Sequence, residues 1–407
     1  MAGASFSVLL LLVALSFLGC EASSYLVPGN NTGIAIPTFV SDTGGMFYDV
    51  YADQSRNVFL ILAGNGLYQM DYARTTLLAH HSFSCCSGNY PSYLLYTDIA
   101  ADTGFVYVIP SVSFPYQVLR FSVTNVTLPT VYNATIDTSF QMAIGNFFGF
   151  LVGQNDAFVE IFDLITMTFV NRFNYTQNYY PWFDPTYPGG WGIAVDSIRD
   201  LLYIGVDCDS PTPGFIWQWN VSDFNNTNLV DSTVWGADPC FNYAFVEVAD
   251  GRAWFYEDDA GFIGGFSMNG LSWGSDYSVP TVNYRQASEY DPNIHTAYFL
   301  DRGSGGSPKY TGQVYRACLL DPGNIIHEVL PWQQLGQTNN VCGSYLEYGA
   351  PTSTLYVVDC SINAVMTVTI LNGTDCPQSP PSSSSCTSSA STLSGFMAEL
   401  FSYFLFC

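Results

Sequence analysis

The sequence predicts an all-β fold that forms one large domain, and three observations lead to this prediction. The chain has 407 residues, a length that suits one large all-β domain or two to three average domains. Aromatic residues make up 16% and charged residues only 11% of the chain. Tyr, Phe, Val, Ile and Thr favour pleated strands, whereas the helix formers Lys, Glu and Arg are scarce. The third observation is an internal repeat.

The repeat consists of a strand with a large apolar centre, a loop, and a second strand that often ends in Asp or Asn. Successive centres lie 43 to 58 residues apart, which is the period of a four-stranded propeller blade. Seven units predict a single β-propeller of seven four-stranded blades, and a six-bladed ring with one misread unit is the alternative. The centres of the seven units are Phe59, Tyr107, Leu151, Tyr203, Phe255, Tyr298 and Tyr356.

Turn residues in front of these strands support the prediction. Asp102-Thr103-Gly104 and Asp250-Gly251 are typical of tight hairpins between the first and second strands of a blade. Asp53, Asp196 and Asp291 hold the equivalent position in three other units. At such a position, Asp most simply hydrogen-bonds to the backbone of its own turn.

The two ends of the chain differ in composition from the predicted propeller, which spans residues 33–375. Residues 1–22 match a signal peptide, with an apolar run from Ser5 to Leu18 followed by small residues. The last unit supplies only three strands, so we expect Gly33 to Val40 to add the fourth and close the ring. Residues 376–392 form a Ser/Pro-rich stalk, and the hydrophobic tail 393–407 is either a signal for a lipid (GPI) anchor or a merely apolar terminus.

Sequons and cysteines agree with export to an oxidising compartment. We expect the cysteines to pair as Cys208 with Cys240, Cys318 with Cys342, and Cys360 with Cys376, although sequence alone does not fix connectivity. Cys85 and Cys86 form either a vicinal disulfide or two separate bonds. The seven N-glycosylation sequons are at Asn30, Asn125, Asn133, Asn174, Asn220, Asn225 and Asn372.

The net charge of −24, with Lys309 as the single lysine, excludes some classes of partner. A surface this acidic repels phosphate backbones, so we expect no binding to nucleic acid. We expect contact with a membrane only through a C-terminal lipid anchor. Cationic partners and hard cations such as Ca²⁺ stay compatible with this charge.

Two segments resemble known propeller repeats. The segment Pro188-Gly189-Gly190-Trp191-Gly192-Ile193-Ala194-Val195-Asp196, with Leu202-Tyr203-Ile204 after it, resembles the repeat of NHL and YWTD propellers. The segment Thr354 to Asp359 is similar to the related YVTN repeat. The resemblance implies a propeller, and it leaves function open, because such propellers include extracellular binding modules and calcium-dependent lactonases of the gluconolactonase type.

An acidic pattern suggests one candidate site. Carboxylates follow or end the central strand in four units, and propeller geometry brings these positions to one face, near the mouth of the channel. Oxygen ligands in such a cluster suit Ca²⁺ and would polarise a lactone carbonyl. The alternative is that these residues cap turns. The candidate calcium ligands are Asp207, Asp258, Asp301 and Asp359.

An aromatic, proline-rich connection between two units suggests a second candidate site. Exposed aromatic rings on a rigid loop are typical of glycan or protein recognition. The alternative is a small local core beneath a long loop. The candidate ligand-binding residues are Tyr180, Trp182, Phe183, Tyr187 and Trp191.

These patterns favour a non-enzymatic binding module that is secreted or held on the outer face of the plasma membrane. No His-Glu-x-x-His pair or phosphate-binding loop of the GxxxxGK[ST] type occurs in the sequence. The expected partner is an extracellular protein or glycan. A calcium-dependent, lactonase-like hydrolase with its site at the central channel is the alternative.

Overall fold

The fold is known from a computed structural model, which describes twenty-one segments of the chain. They are residues 26–28, 34–35, 47–83, 95–97, 104–110, 116–136, 140–153, 158–175, 190–206, 214–235, 241–247, 251–257, 262–269, 273–278, 285–291, 295–301, 313–319, 328–331, 341–347, 353–359 and 364–370.

Twenty-seven of the strands in these segments form antiparallel meanders, which we number as sheets in chain order. Sheet 1 contains β3 (Phe47–Asp53), β4 (Val58–Ala63), β5 (Gly66–Met70) and β6 (Leu77–Ser82). Sheet 2 contains β7 (Leu95–Thr97), β8 (Phe105–Val108), β9 (Gln117–Ser122) and β10 (Asn125–Asn133). Sheet 3 contains β11 (Phe140–Ile144), β12 (Phe148–Gly153), β13 (Phe158–Asp163) and β14 (Thr168–Asn174). Sheet 4 contains β15 (Gly190–Asp196), β16 (Leu201–Val206), β17 (Gly214–Asn220) and β18 (Asn228–Trp235), with a 3-10 turn at Phe224–Asn226.

The remaining sheets repeat this order. Sheet 5 contains β19 (Phe241–Glu247), β20 (Arg252–Glu257), β21 (Phe262–Ser267) and β22 (Trp273–Ser278). Sheet 6 contains β23 (Arg285–Asp291), β24 (Thr296–Asp301), β25 (Gln313–Cys318) and β26 (Glu328–Pro331). Sheet 7 contains β27 (Val341–Glu347), β28 (Ser353–Asp359) and β29 (Ala364–Ile370).

The N-terminal segment closes sheet 7, as predicted. Strands β1 (Leu26–Pro28) and β2 (Ile34–Ala35) both pair with β29, antiparallel, at the edge that its own chain leaves free. The pairing uses residues on both sides of the predicted start at Gly33, because β1 covers one half of β29 and β2 the other. The described strands thus form seven sheets, one for each predicted unit. The number of blades in the whole chain stays a prediction.

Sheets pack face to face, and the apolar core lies in the seams between them. The predicted strand centres Phe59, Tyr107 and Leu151 are fully buried. In the seam between sheets 1 and 2, Leu60 packs in one cluster with Phe121. First strands of neighbouring sheets contact each other: β27 with β3, β3 with β7, β7 with β11, β11 with β15, β15 with β19, and β23 with β27.

The turn from the first to the second strand is built in the same way in several sheets. The residue before the second strand adopts a left-handed backbone, with φ of 73° at Gly104 and 66° at Gly251, where glycine removes the strain of a Cβ atom. Its carbonyl accepts the N–H of the residue after the third strand, for example Val123 to Gly104 at 2.8 Å. Asp200 and His295 hold the same place with φ of 53° and 50°. The predicted hairpins at Gly104 and Gly251 are therefore confirmed.

No helix within the described segments is long and apolar enough to cross a membrane.

Candidate functional site

The meander gives each sheet two distinct ends. Turns from first to second strand and from third to fourth strand lie at one end, which we call the turn face. Connections from second to third strand and between sheets lie at the other end, which we call the loop face. Most of the loop-face connections fall outside the described residues, whereas most of the turn face is described.

The two described members of the predicted acidic set share one register on the loop face. Asp301 ends β24 and pairs with Arg285, and Asp359 ends β28 and pairs with Val341, so each lies opposite the first residue of its first strand. Asp207 and Asp258 immediately follow β16 and β20 and lie outside the described residues. In the described part of the chain, no group of three or more His, Cys, Asp or Glu is arranged to hold a metal. The calcium site stays a prediction.

The predicted aromatic site is described only at its edge. Tyr180, Trp182, Phe183 and Tyr187 lie outside the described residues, and Trp191 is the second residue of β15. The register skips Trp191 between the pairs Gly190–Val206 and Gly192–Gly205, which makes it a β-bulge. Bulges often lie beside functional sites because they turn a side chain away from the regular alternation. The same skip recurs in sheets 1, 4, 5, 6 and 7, at Tyr48, Trp191, Asn242, Gln286 and Cys342.

The described sequons all lie on third strands, fourth strands or the turns between them. Asn125 and Asn133 begin and end β10 and are exposed, and Asn174 and Asn220 are half-buried at the ends of β14 and β17. Asn225 lies in the 3-10 turn of sheet 4. Asn30 and Asn372 lie outside the described residues, and glycosylation of all seven stays a prediction.

Six of the eight cysteines predicted to pair lie outside the described residues: Cys85, Cys86, Cys208, Cys240, Cys360 and Cys376. Cys318 is the last residue of β25, opposite Thr296 at the turn-face end of sheet 6. Cys342 follows Val341 at the loop-face end of sheet 7. The three predicted pairings stay predictions.

Aspartates cap the turn face, as their position in the sequence predicts. The Asp53 carboxylate accepts hydrogen bonds from the Ser55 hydroxyl and the Arg56 N–H at 2.6 and 3.0 Å, and it forms an ion pair with the Arg56 side chain. Burial raises the pKa of Asp53, but these hydrogen bonds and the guanidinium outweigh burial and leave it below its usual value. Asp196 repeats the arrangement in sheet 4, with Arg199 at 2.8 Å.

Polar side chains on third strands bridge the seams between sheets, a feature that the sequence interpretation missed. Gln69 donates from Nε2 to the Thr124 carbonyl at 3.0 Å, Arg120 donates to the Leu164 carbonyl at 2.6 Å, and Gln218 donates to the Met268 carbonyl at 2.8 Å. Each donor lies opposite the third residue of its second strand, and each acceptor lies in or beside the third-to-fourth turn of the next sheet. These seam bridges satisfy backbone groups of the turn face and fix each sheet to the next.

A fully buried carboxylate stabilises the seam between sheets 2 and 3. Glu160 in β13 accepts hydrogen bonds from the Tyr132 hydroxyl, the Thr135 hydroxyl and the Thr135 N–H, the last at 2.9 and 3.0 Å to its two oxygens. Tyr132 also stacks on Phe162, with ring centroids 4.6 Å apart. Burial and the neighbouring Glu160 carboxylate raise the pKa of Tyr132, so its hydroxyl stays a donor.

Comparison with known proteins identifies the architecture. No protein-family model matches the chain, and no curated protein is similar to it in sequence. Raptor of Chaetomium thermophilum is similar in structure, with a TM-score of 0.62 and 8% sequence identity. The match covers 87% of this chain and only 29% of the Raptor chain. The β-propeller domain of Myceliophteria thermophila Cps50 (Swd1) gives a TM-score of 0.57 and 8% identity, over 80% of this chain and 96% of that domain. The chain is therefore a β-propeller, whereas its kinship with NHL and YWTD repeats stays a prediction.

Proposed function

We propose that the chain is an extracellular or cell-surface binding module that presents loops from a rigid propeller. The observation that carries the proposal is the set of seam bridges at Gln69, Arg120 and Gln218, joined by the buried Glu160 cluster. Sheets that are hydrogen-bonded to each other hold the ends of their strands in fixed positions, and a binding surface on a rigid scaffold loses less entropy when it binds.

Other features support an extracellular place for this module. The apolar run near the N-terminus, the seven sequons and the eleven cysteines are typical of exported proteins. Asn125 and Asn133 are exposed, so the fold has room for glycans at both. The net charge of −24 keeps a sparsely charged surface soluble. The structures similar to this chain include a propeller domain, and propellers commonly serve as binding or scaffold modules.

Export is tested by expressing the full chain in a eukaryotic secretory host. We expect the protein in the medium or on the cell surface, with a gel mobility that rises after treatment with an N-glycosidase. The variant Asn125→Gln should lose one glycan, whereas Thr127→Ser, which keeps the sequon, should lose none. Protein that stays in the cytosol without glycans would contradict the extracellular part of the proposal.

Binding is tested by applying the purified chain to glycan arrays and to intact cells. We expect saturable binding that weakens at least tenfold in the variant Trp182→Ala/Tyr187→Ala, because exposed aromatic rings carry most of the energy at such interfaces. The control is Phe169→Ala, which removes an exposed ring from the outer strand β14. Equal weakening in the control, or none in the loop variant, would show that the aromatic loop is not the binding site.

A further inference from the structure

Three large apolar side chains are exposed on the turn face of sheets 3 and 4. Phe147 is 59% exposed, Ile165 is 65% exposed and Ile198 is 73% exposed. We refer to these three residues as the apolar turn cluster. Every other large, exposed apolar side chain in the described segments lies on a fourth strand: Leu78, Leu128, Val131, Phe169 and Val230.

Hydrogen bonds hold the three turns of this cluster against each other. Leu164, beside Ile165, donates its N–H to the Phe147 carbonyl at 2.9 Å. Asn146, beside Phe147, donates its side-chain amide to the Ser197 carbonyl at 3.1 Å, and Ser197 precedes Ile198. The three residues therefore belong to one continuous surface across the seam between sheets 3 and 4.

The surface continues towards the outer strand through partly buried aromatic rings. Phe148 contacts Phe224 edge to face, with ring centroids 4.4 Å apart. The Asn171 side-chain amide donates to the Phe224 carbonyl and holds the 3-10 turn of sheet 4 against β14. Because the turns are fixed by their own hydrogen bonds, the apolar turn cluster is presented in a defined geometry and its binding does not require the turns to fold first.

We propose that the apolar turn cluster docks a protein segment with apolar side chains flanked by lysine or arginine. Four carboxylates lie in or directly beside the three turns and the 3-10 turn, at Asp163, Asp196, Asp200 and Asp223. Two guanidinium groups lie among them: Arg199, which is paired with Asp196, and Arg120, which donates to the carbonyls of Leu164 and Ile165. The surroundings therefore have a net charge of −2, on a chain whose net charge is −24.

This charge favours a cationic partner over a second copy of the chain. Two copies would bring net negative surfaces together, which is unfavourable at an interface, whereas a basic segment complements the surface and associates faster. The inference rests on the proposed binding function, but it concerns the face opposite the aromatic loop. A failure at this face therefore leaves the test with Trp182 and Tyr187 unaffected.

The probe for the test is a fluorescent twelve-residue peptide of leucine and lysine. A leucine/glutamate peptide controls for charge, and a lysine/glycine peptide controls for non-specific attraction to an acidic protein. Fluorescence anisotropy is measured with the secreted chain and with the variant Phe147→Ser/Ile165→Thr/Ile198→Thr. The matched control is Leu78→Thr/Leu128→Thr/Val131→Thr, which removes exposed apolar groups from fourth strands and creates no new sequon.

We expect the leucine/lysine peptide to bind the wild type and the control alike, to bind the turn variant at least tenfold more weakly, and to lose affinity as salt rises. The other two peptides should bind at least tenfold more weakly. Equal binding to the turn variant, or equal binding of the leucine/glutamate peptide, overturns the proposal. Two further outcomes overturn the proposal. Self-association that the turn variant abolishes would show that the cluster binds a second copy of the chain. Binding that appears only after removal of glycans at Asn220 and Asn225 would show that glycan covers the cluster.

Discussion

The Glu160 cluster allows a quantitative test of how the seam between sheets 2 and 3 is stabilised. The substitution Glu160→Leu keeps most of the side-chain volume but removes the acceptor for three donors. Thr135 is exposed, so its hydroxyl and N–H reach water after the change, whereas the Tyr132 hydroxyl, on a residue only 3% exposed, does not. An unsatisfied buried donor costs about 1–3 kcal/mol, and the lost bonds to a charged group bring the expected total to about 3 kcal/mol.

The double variant separates this explanation from simple loss of packing. Tyr132→Phe alone should lower the free energy of unfolding by about 1.5 kcal/mol, because the ring keeps its stacking on Phe162. Together with Glu160→Leu it should cost about 1–2 kcal/mol less than the sum of the single changes, since no orphaned hydroxyl is left. The measurement is urea unfolding followed by tryptophan fluorescence, comparing midpoints at unchanged slope. Additivity within about 0.5 kcal/mol would refute the reasoning.

Three further predictions follow from the same contacts. Gln69→Leu should lower the free energy of unfolding by about 1–3 kcal/mol, because the Thr124 carbonyl and the Val126 N–H lose their partner. The control Gln117→Leu, at an exposed hydrogen bond, should change the free energy of unfolding by less than about 0.5 kcal/mol in the same urea assay. Gly149→Ala should lower the free energy of unfolding by about 1–3 kcal/mol, since its Cβ would lie 2.2 Å from the Phe162 ring. Gly251→Ala has open space around its Cβ but a φ of 66°, and should lower the free energy of unfolding by about 1 kcal/mol. Melting temperatures that rank the two variants the other way would contradict this prediction. Because the pKa of folded Asp53 lies below that of the unfolded chain, its contribution is present above about pH 4 and is lost as pH falls through the folded pKa. Asp53→Asn should therefore destabilise the protein at pH 7 and flatten the acid limb of its stability curve, and an unchanged acid limb would argue against the ion pair.

The architecture was predictable because the repeat appears in local features of the sequence. Phe59 and Tyr203 stand at the centres of strands that are buried on both faces, so each unit shows a short apolar run. Gly104 and Gly251 mark turns that require a left-handed backbone, a requirement that sequence makes visible. Ring closure by the N-terminal segment was predictable because the last unit had one strand too few. The division of this segment into β1 and β2 was not predictable, since short strands at the edge of a sheet leave little pattern in the sequence.

The seam bridges were present in the sequence but were not interpreted. Gln69, Arg120 and Gln218 stand in the middle of apolar third strands, where a polar residue breaks the expected alternation. Such a residue indicates either an exposed face or a buried partner, and the partners here are backbone carbonyls of the next sheet, about 44 to 55 residues away along the chain. A contact at that separation depends on how the sheets pack, which no local pattern records. Phe147, Ile165 and Ile198 were missed for the converse reason, because in sequence they look like core residues.

The positions of the sequons give the extracellular proposal a physical basis beyond their number. First strands contact those of neighbouring sheets, and second strands such as β4 are buried, so neither leaves space for a glycan. Asn125, Asn133, Asn174, Asn220 and Asn225 all lie on the outer half of their sheets, on third or fourth strands or the turns between them. A glycosylated propeller requires its sequons at such positions, and the described sequons meet this requirement. Asn220 and Asn225 lie in the same sheet as Ile198 of the apolar turn cluster, and for this reason the peptide test includes removal of glycans at these two residues.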